Sequence, residues 1–152
     1  MPKYSEGLQE LRRSLDHADR TAPEVSGWSV GMHIHHCELV MIGICRSMAR
    51  STLPPPRTGF NLLRSIVLLT GRIPRGRAQS PEEAVPTPDV PGTDLEKALD
   101  LAERMMDKTR KRKPDVWYRH FAFGVLRRDA ALRVLEIHNR HHLRIIRDIL
   151  SA

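Results

Sequence analysis

One helical stripe in the last part of the chain runs through Ala131, Leu135, His138, His142, Ile145 and Ile149 at spacings of 4, 3, 4, 3 and 4. Such spacing keeps a single face turned toward a partner and predicts a helix over residues 128–150. Two imidazoles therefore occupy positions where a packed core takes leucines. Near the start, Leu8, Leu11, Leu15 and Ala18 recur at 3, 4 and 3. They predict an amphipathic helix over residues 5–20, ended by Thr21, Ala22 and Pro23. Ser29 stands where it can N-cap a second helix running to about residue 50. A third helix opens at Thr93, where Thr93-Asp94-Leu95-Glu96 has the form of a capping box, and continues through Leu95, Leu99, Ala102 and Met106.

Residues 51–92 break this regularity with Pro54-Pro55-Pro56, Gly59, Gly71, Pro74, Gly76, Pro81, Pro86, Pro88 and Pro91. They form a long crossover. Within it, residues 60–69 are strongly apolar and predict a short helix that covers the core or lines a pocket. The aromatic-rich residues 117–126 form a connection with no convincing strand pattern, and the chain has no internal repeat. The predicted fold is all-α: a four-helix bundle with a long crossover between helices two and three, one domain over residues 1–152. Facing helices of a bundle can build a site in its core.

A chain of 152 residues is long enough to bury a core without disulfides or a structural metal. Its two cysteines, Cys37 and Cys45, fall in one predicted helix about 12 Å apart along the axis and cannot pair there. Two free thiols suit a reducing cytoplasm. The first residues lack the basic patch and apolar run of a signal peptide, and no stretch approaches the roughly 18 apolar residues of a membrane span. The expectation is a soluble cytoplasmic protein with no membrane partner.

The net charge is +7, which raises nucleic acid and other anions as partners. However, the basic run Lys108, Arg110, Lys111, Arg112 and Lys113 ends a predicted helix, where cations complement the dipole. No reading helix accompanies it, so nucleic acid is disfavoured.

Burying two polar rings one turn apart is unfavourable unless their nitrogens find partners. A pair at i and i+4 on one face can chelate a divalent metal, and a third ligand must then come from another element. On the helical wheel His138 and His142 share the apolar seam, whereas His141 lies on a flank that becomes polar. The second helix offers His33, His35 and His36. His36 shares a face with Met32, Val40 and Gly43, neighbours that suit an inward position, while His35 lies with Glu38 and Arg46 on a polar flank. His33 stays open, because its seam holds Cys37, Val40 and Ile44. Cys37 is expected to be a small core residue rather than a ligand.

The run Trp28-Ser29-Val30-Gly31-Met32-His33-Ile34-His35-His36, followed a hundred residues later by His138-Asn139-Arg140-His141-His142-Leu143, resembles the DinB-like superfamily of metalloenzymes. It is most similar to a branch of unknown function that carries His-Pro-x-Phe-Gly-x-Leu before its H-x-x-H-H-L motif. At the matching place stands His120-Phe121-Ala122-Phe123-Gly124-Val125-Leu126, with Phe121 replacing the proline; Arg144-Ile145 stands where the branch has Gln-Phe. The resemblance implies a helical bundle with a long link, often a homodimer. It also implies a divalent metal on one histidine of the second helix and two of the fourth: His36, His138 and His142.

Three neutral imidazoles leave a coordination position open, as catalytic sites do. Three imidazoles accept zinc, nickel, iron or copper, with selection by geometry and availability, and zinc or nickel is the expected ion. The expected function is a metal-dependent enzyme of hydrolase or thiol-transferase type acting on a small molecule of unknown identity. The alternative is a non-catalytic, stress-related bundle that binds metal or a small ligand. No general base is identifiable, since Glu38 and Glu136 project elsewhere on the wheel. His120 is either a pocket residue or a loop histidine bonded to backbone, Trp28 is expected to anchor the second helix in the core, and His17 is expected to face solvent.

Overall fold

A computed structural model describes residues 3–75 and 80–152; residues 76–79 of the crossover lie outside them. Helix α1 spans Lys3–Arg13 and passes into a 3-10 turn over Ser14–His17, so the first predicted helix is shorter than its stripe. Leu8 and Leu11 are fully buried and His17 is exposed, as their phases require. Helix α2 spans Val30–Ala49, and Ser29 caps it by accepting the Met32 N–H at 3.2 Å. The segment between them returns onto the start of α2: Val30 N–H bonds the Arg20 carbonyl and Gly31 N–H the Ala18 carbonyl. Gly31 is needed there, because a Cβ would stand 3.0 Å from the Ala18 carbonyl oxygen.

The crossover contains the expected short helix, α3, over Leu62–Thr70. Asn61 caps it by accepting the Arg64 N–H at 2.8 Å, and Gly71 ends it in the left-handed region at φ 64°. Only Val67 of α3 is fully buried; Leu62 and Leu69, with the preceding Phe60, are exposed. A 3-10 turn over Glu82–Ala84 precedes α4, Gly92–Arg110. The capping box expected at Thr93 does not form. The N-cap lies two residues earlier, at Pro91, whose carbonyl takes the Asp94 and Leu95 N–H groups, and no side chain caps the helix.

The connection after α4 corrects the strand-free expectation. Strands β1 (Trp117–His120) and β2 (Gly124–Arg127) pair antiparallel, Trp117 against Arg127 and His120 against Gly124, with Gly124 at φ 70°. Helix α5 then spans Arg128–Ser151, close to its predicted bounds.

The fold is thus mostly helical but not a clean four-helix bundle. Helices α1, α2, α4 and α5 share one core, in which Leu11, Ile34, Met41, Leu99, Met106, Leu135 and Ile146 are almost wholly buried. The hairpin and α3 are added on one side. Trp117 ties the hairpin to the end of α2, its indole N–H donating to the Thr52 carbonyl at 2.7 Å. Asn61 and Arg64 bond the Ala122 and Phe123 carbonyls, which fixes α3 to the hairpin turn. No helix among the described residues is long and apolar enough to cross a membrane.

Candidate metal centre

Four histidines converge between α2 and α5. His36 Nε2 lies 3.0 Å from His138 Nε2, and His33 Nδ1 lies 2.9 Å from His142 Nδ1. The candidate ligand atoms of His36, His138 and His142 all fall within 4.8 Å of one another. The structure therefore brings together the three residues singled out in the sequence, one from α2 and two a turn apart on α5. His36 and His142 are buried, while His138 keeps partial exposure on the wall of a cavity.

Hydrogen bonding sets the state of one ring directly. His36 Nδ1 lies 2.6 Å from the carbonyl oxygen of Ala84, in the 3-10 turn of the crossover. A carbonyl only accepts, so the His36 proton sits on Nδ1 and a lone pair sits on Nε2, toward His138. This donor set fits a divalent transition ion: neutral imidazoles, with one lone pair already aimed among the three rings.

Burial keeps the cluster neutral. It pushes His33 down to about 4 and His138 down to about 3, and in both cases neighbouring imidazoles add to the effect. His142 is held well below the ordinary imidazole range, first by burial and then by the surrounding histidines. His36 is lowered by burial, partly offset by its bond to Ala84.

The cavity over this cluster measures about 840 Å³. Its walls are mainly apolar: Leu39, Val40 and Ile44 from α2, Leu63 and Val67 from α3, Ile73 and Pro81 from the crossover, and Val134 and Ile145 from α5. Tyr118, His120, Phe121 and Phe123 of the hairpin region complete it. The irregular crossover and the hairpin are what enclose the space beside α2 and α5. His120 fills both roles open to it. It lines the cavity, and its Nδ1 accepts the Ala122 and Phe123 N–H groups at 3.0 and 3.3 Å between the rings of Phe121 and Phe123.

Other residues stand differently from their phase on the wheel. Trp28 is not buried in the core; half-buried, it lies against His33, His36 and His142, stacked on the last at an interplanar angle of 14°. His141, expected on a polar flank, lines the cavity edge-on to His142. His35 stays on the polar side and accepts the Thr87 N–H at 3.1 Å. Cys37 and Cys45 are buried free thiols. Glu136 is ion-paired with Arg133 and Arg140. Glu38 is buried with neither carboxyl oxygen bonded, and burial pushes it up to about 8. Neither carboxylate lines the cavity; among the described residues Glu83 is the one that does.

The residue pattern leaves His33 undecided and carries no signal for Ser26, Tyr118 or the Ala84 carbonyl. His33 falls on the core seam of the wheel, and only the packing of α2 on α5 reveals its partner. A backbone carbonyl leaves no trace in side-chain patterning.

No curated protein and no solved structure matches the chain. A family model does match, and over nearly the whole of it: with residues 4–148 aligned, including every histidine of the cluster, the chain belongs to the family described as protein of unknown function DUF1569.

Proposed function

We propose that this protein is a divalent-metal-dependent enzyme of the DinB-like superfamily, of hydrolase or thiol-transferase type, with His36, His138 and His142 as the metal ligands. The observation that carries the reading is the meeting of these three neutral rings beneath a largely apolar cavity. A solely structural metal would not require such a cavity. When bound, zinc or nickel supplies a Lewis-acidic centre able to take water, a thiolate or a carbonyl oxygen in its open position.

The chain's own residues supply the rest. Ala84 fixes the proton of His36, Trp28 packs on three of the rings, and mainly apolar side chains line the space over them. The substrate that this space favours is a small molecule with an apolar body and one metal-binding head, since Glu83 is the only acidic side chain among the described cavity residues and none of them is Lys or Arg.

The position of the carboxylates favours a second reading. Glu38 and Glu136 do not line the cavity, which leaves Glu83, Tyr118, Ser26, Ser80 and histidines among the described cavity residues to move protons. A non-catalytic protein that binds metal or a small ligand has no need of more. The two readings separate in a screen of the zinc- and nickel-loaded protein against esters, amides and thiol-transfer substrates. Turnover lost in His138→Ala supports the enzyme; stoichiometric metal with no turnover supports the binder.

A further inference from the structure

A neutral imidazole carries one N–H and one lone pair, so two rings that meet through nitrogens share one proton between them. His33 and His142 meet in this way, Nδ1 to Nδ1 at 2.9 Å. The other nitrogen of His33, Nε2, lies 3.0 Å from Ser26 Oγ, and that oxygen accepts the Trp28 backbone N–H at 3.1 Å. Both nitrogens of His33 are engaged, and the relay ends on a hydroxyl fixed in the loop ahead of α2.

The relay has two self-consistent directions. Running inward, Ser26 O–H donates to His33 Nε2, His33 Nδ1–H donates to His142 Nδ1, and His142 Nε2 carries a proton. Running outward, His142 Nδ1–H donates to His33 Nδ1, His33 Nε2–H donates to Ser26 Oγ, and His142 Nε2 holds a lone pair. Only the outward direction gives His142 a free nitrogen outside the relay. Ala84 does the same for His36 by a simpler device.

We infer that His33, backed by Ser26, is a positioning residue that holds the proton of His142 on Nδ1 and so presents His142 Nε2 as the metal-binding nitrogen. This rests on the metal reading above and adds a fourth histidine to it, as an orienting partner rather than a ligand. Such partners fix the tautomer and ring plane of a ligating histidine, and losing one typically weakens metal binding about 10- to 100-fold.

The test uses zinc as the probe. Wild type, His33→Phe, His33→Gln and Ser26→Ala are titrated with zinc against a chromophoric chelator, with circular dichroism to verify folding. Long-range 1H–15N spectra of the zinc-loaded wild type report the histidine tautomers. Expected are Nδ1–H at His142 and Nε2–H at His33, zinc affinity about 10- to 100-fold weaker in His33→Phe, and substantial recovery in His33→Gln, whose amide oxygen can accept from His142. If His33→Phe fails to fold, the spectra and the His33→Gln and Ser26→Ala affinities decide.

Three results overturn the inference: a folded His33→Phe that binds zinc within threefold of wild type, a zinc-loaded His142 protonated on Nε2, or a zinc-bound His33 nitrogen. Each leaves the metal reading standing. A wild type that refuses zinc overturns both.

Discussion

The Nε2 atoms of His36 and His138 stand 3.0 Å apart across 102 residues of chain. The Ala84 carbonyl, 2.6 Å from His36 Nδ1, determines which of the two atoms carries a proton: His36 presents a lone pair, and His138 must answer it with an N–H or share a cation with it. His36→Ala removes this arrangement and leaves the Ala84 carbonyl without its partner. Stability of the metal-free protein is expected to fall by about 1–3 kcal/mol, read from urea unfolding, in addition to any loss of metal affinity.

His120 gives the fold an acid sensitivity of its own. Burial pushes it down to about 4 from an ordinary 6.5, and the Nδ1 that would take the proton already accepts two backbone N–H groups of the hairpin turn. Between these values the unfolded chain binds the proton and the folded one does not. Its stabilising contribution is therefore complete above pH 6.5 and lost as the pH falls through 4. His120→Phe is expected to be less stable than wild type at pH 8, and the gap between their urea midpoints is expected to narrow steadily from pH 6.5 to 4.

Glu38 has the opposite sign. It is 1 % exposed, neither carboxyl oxygen has a hydrogen-bond partner, and burial pushes it up to about 8 from 4.5. The folded state holds this proton more tightly, so the contribution is present below 4.5 and lost as pH rises through 8. Glu38→Met, of similar length and without the unpaired oxygens, is expected to raise stability by about 1–3 kcal/mol near neutral pH. The gain should grow between pH 5 and 8 in a urea series.

The stripes of α1, α4 and α5 carried most of the helical architecture, because a single buried face leaves a strong 3.6-residue signature, and the Ser29 cap marked the start of α2. The same signature placed His138 and His142 inward, and the resemblance chose His36 from its neighbours. The hairpin escaped notice: each strand has four residues, and Trp117, Tyr118, Arg119 and His120 show no clean alternation. Thr93 misled in another way. Its capping box fits the sequence rule, but the cap lies two residues earlier, at Pro91, whose carbonyl takes the first N–H groups. Trp28 has the composition of a core anchor, yet its stacking on the histidines depends on the loop that folds back at Gly31.

That loop carries its own prediction. Gly31 is packed on the Ala18 carbonyl, and a Cβ there would lie 3.0 Å from the oxygen and 3.2 Å from the Ala18 Cβ. Gly31→Ala is expected to cost about 1–3 kcal/mol in denaturant unfolding, despite alanine's better helix propensity, because backbone must move to admit the methyl group. An exposed glycine such as Gly43, with nothing within 4 Å, serves as the control; alanine there should be neutral or stabilising.

Whether the rings of His36, His138 and His142 hold a metal is tested most directly by elemental analysis of protein purified without metal-affinity chromatography, comparing wild type with the His138→Ala, His142→Ala double variant. About one equivalent of a transition metal per chain is expected in wild type, as a three-histidine site binds one ion, and none in the folded variant. A wild type that carries no metal and refuses added zinc and nickel would contradict the metal reading, and would leave the cluster as a set of buried histidines bonded to one another and to the backbone.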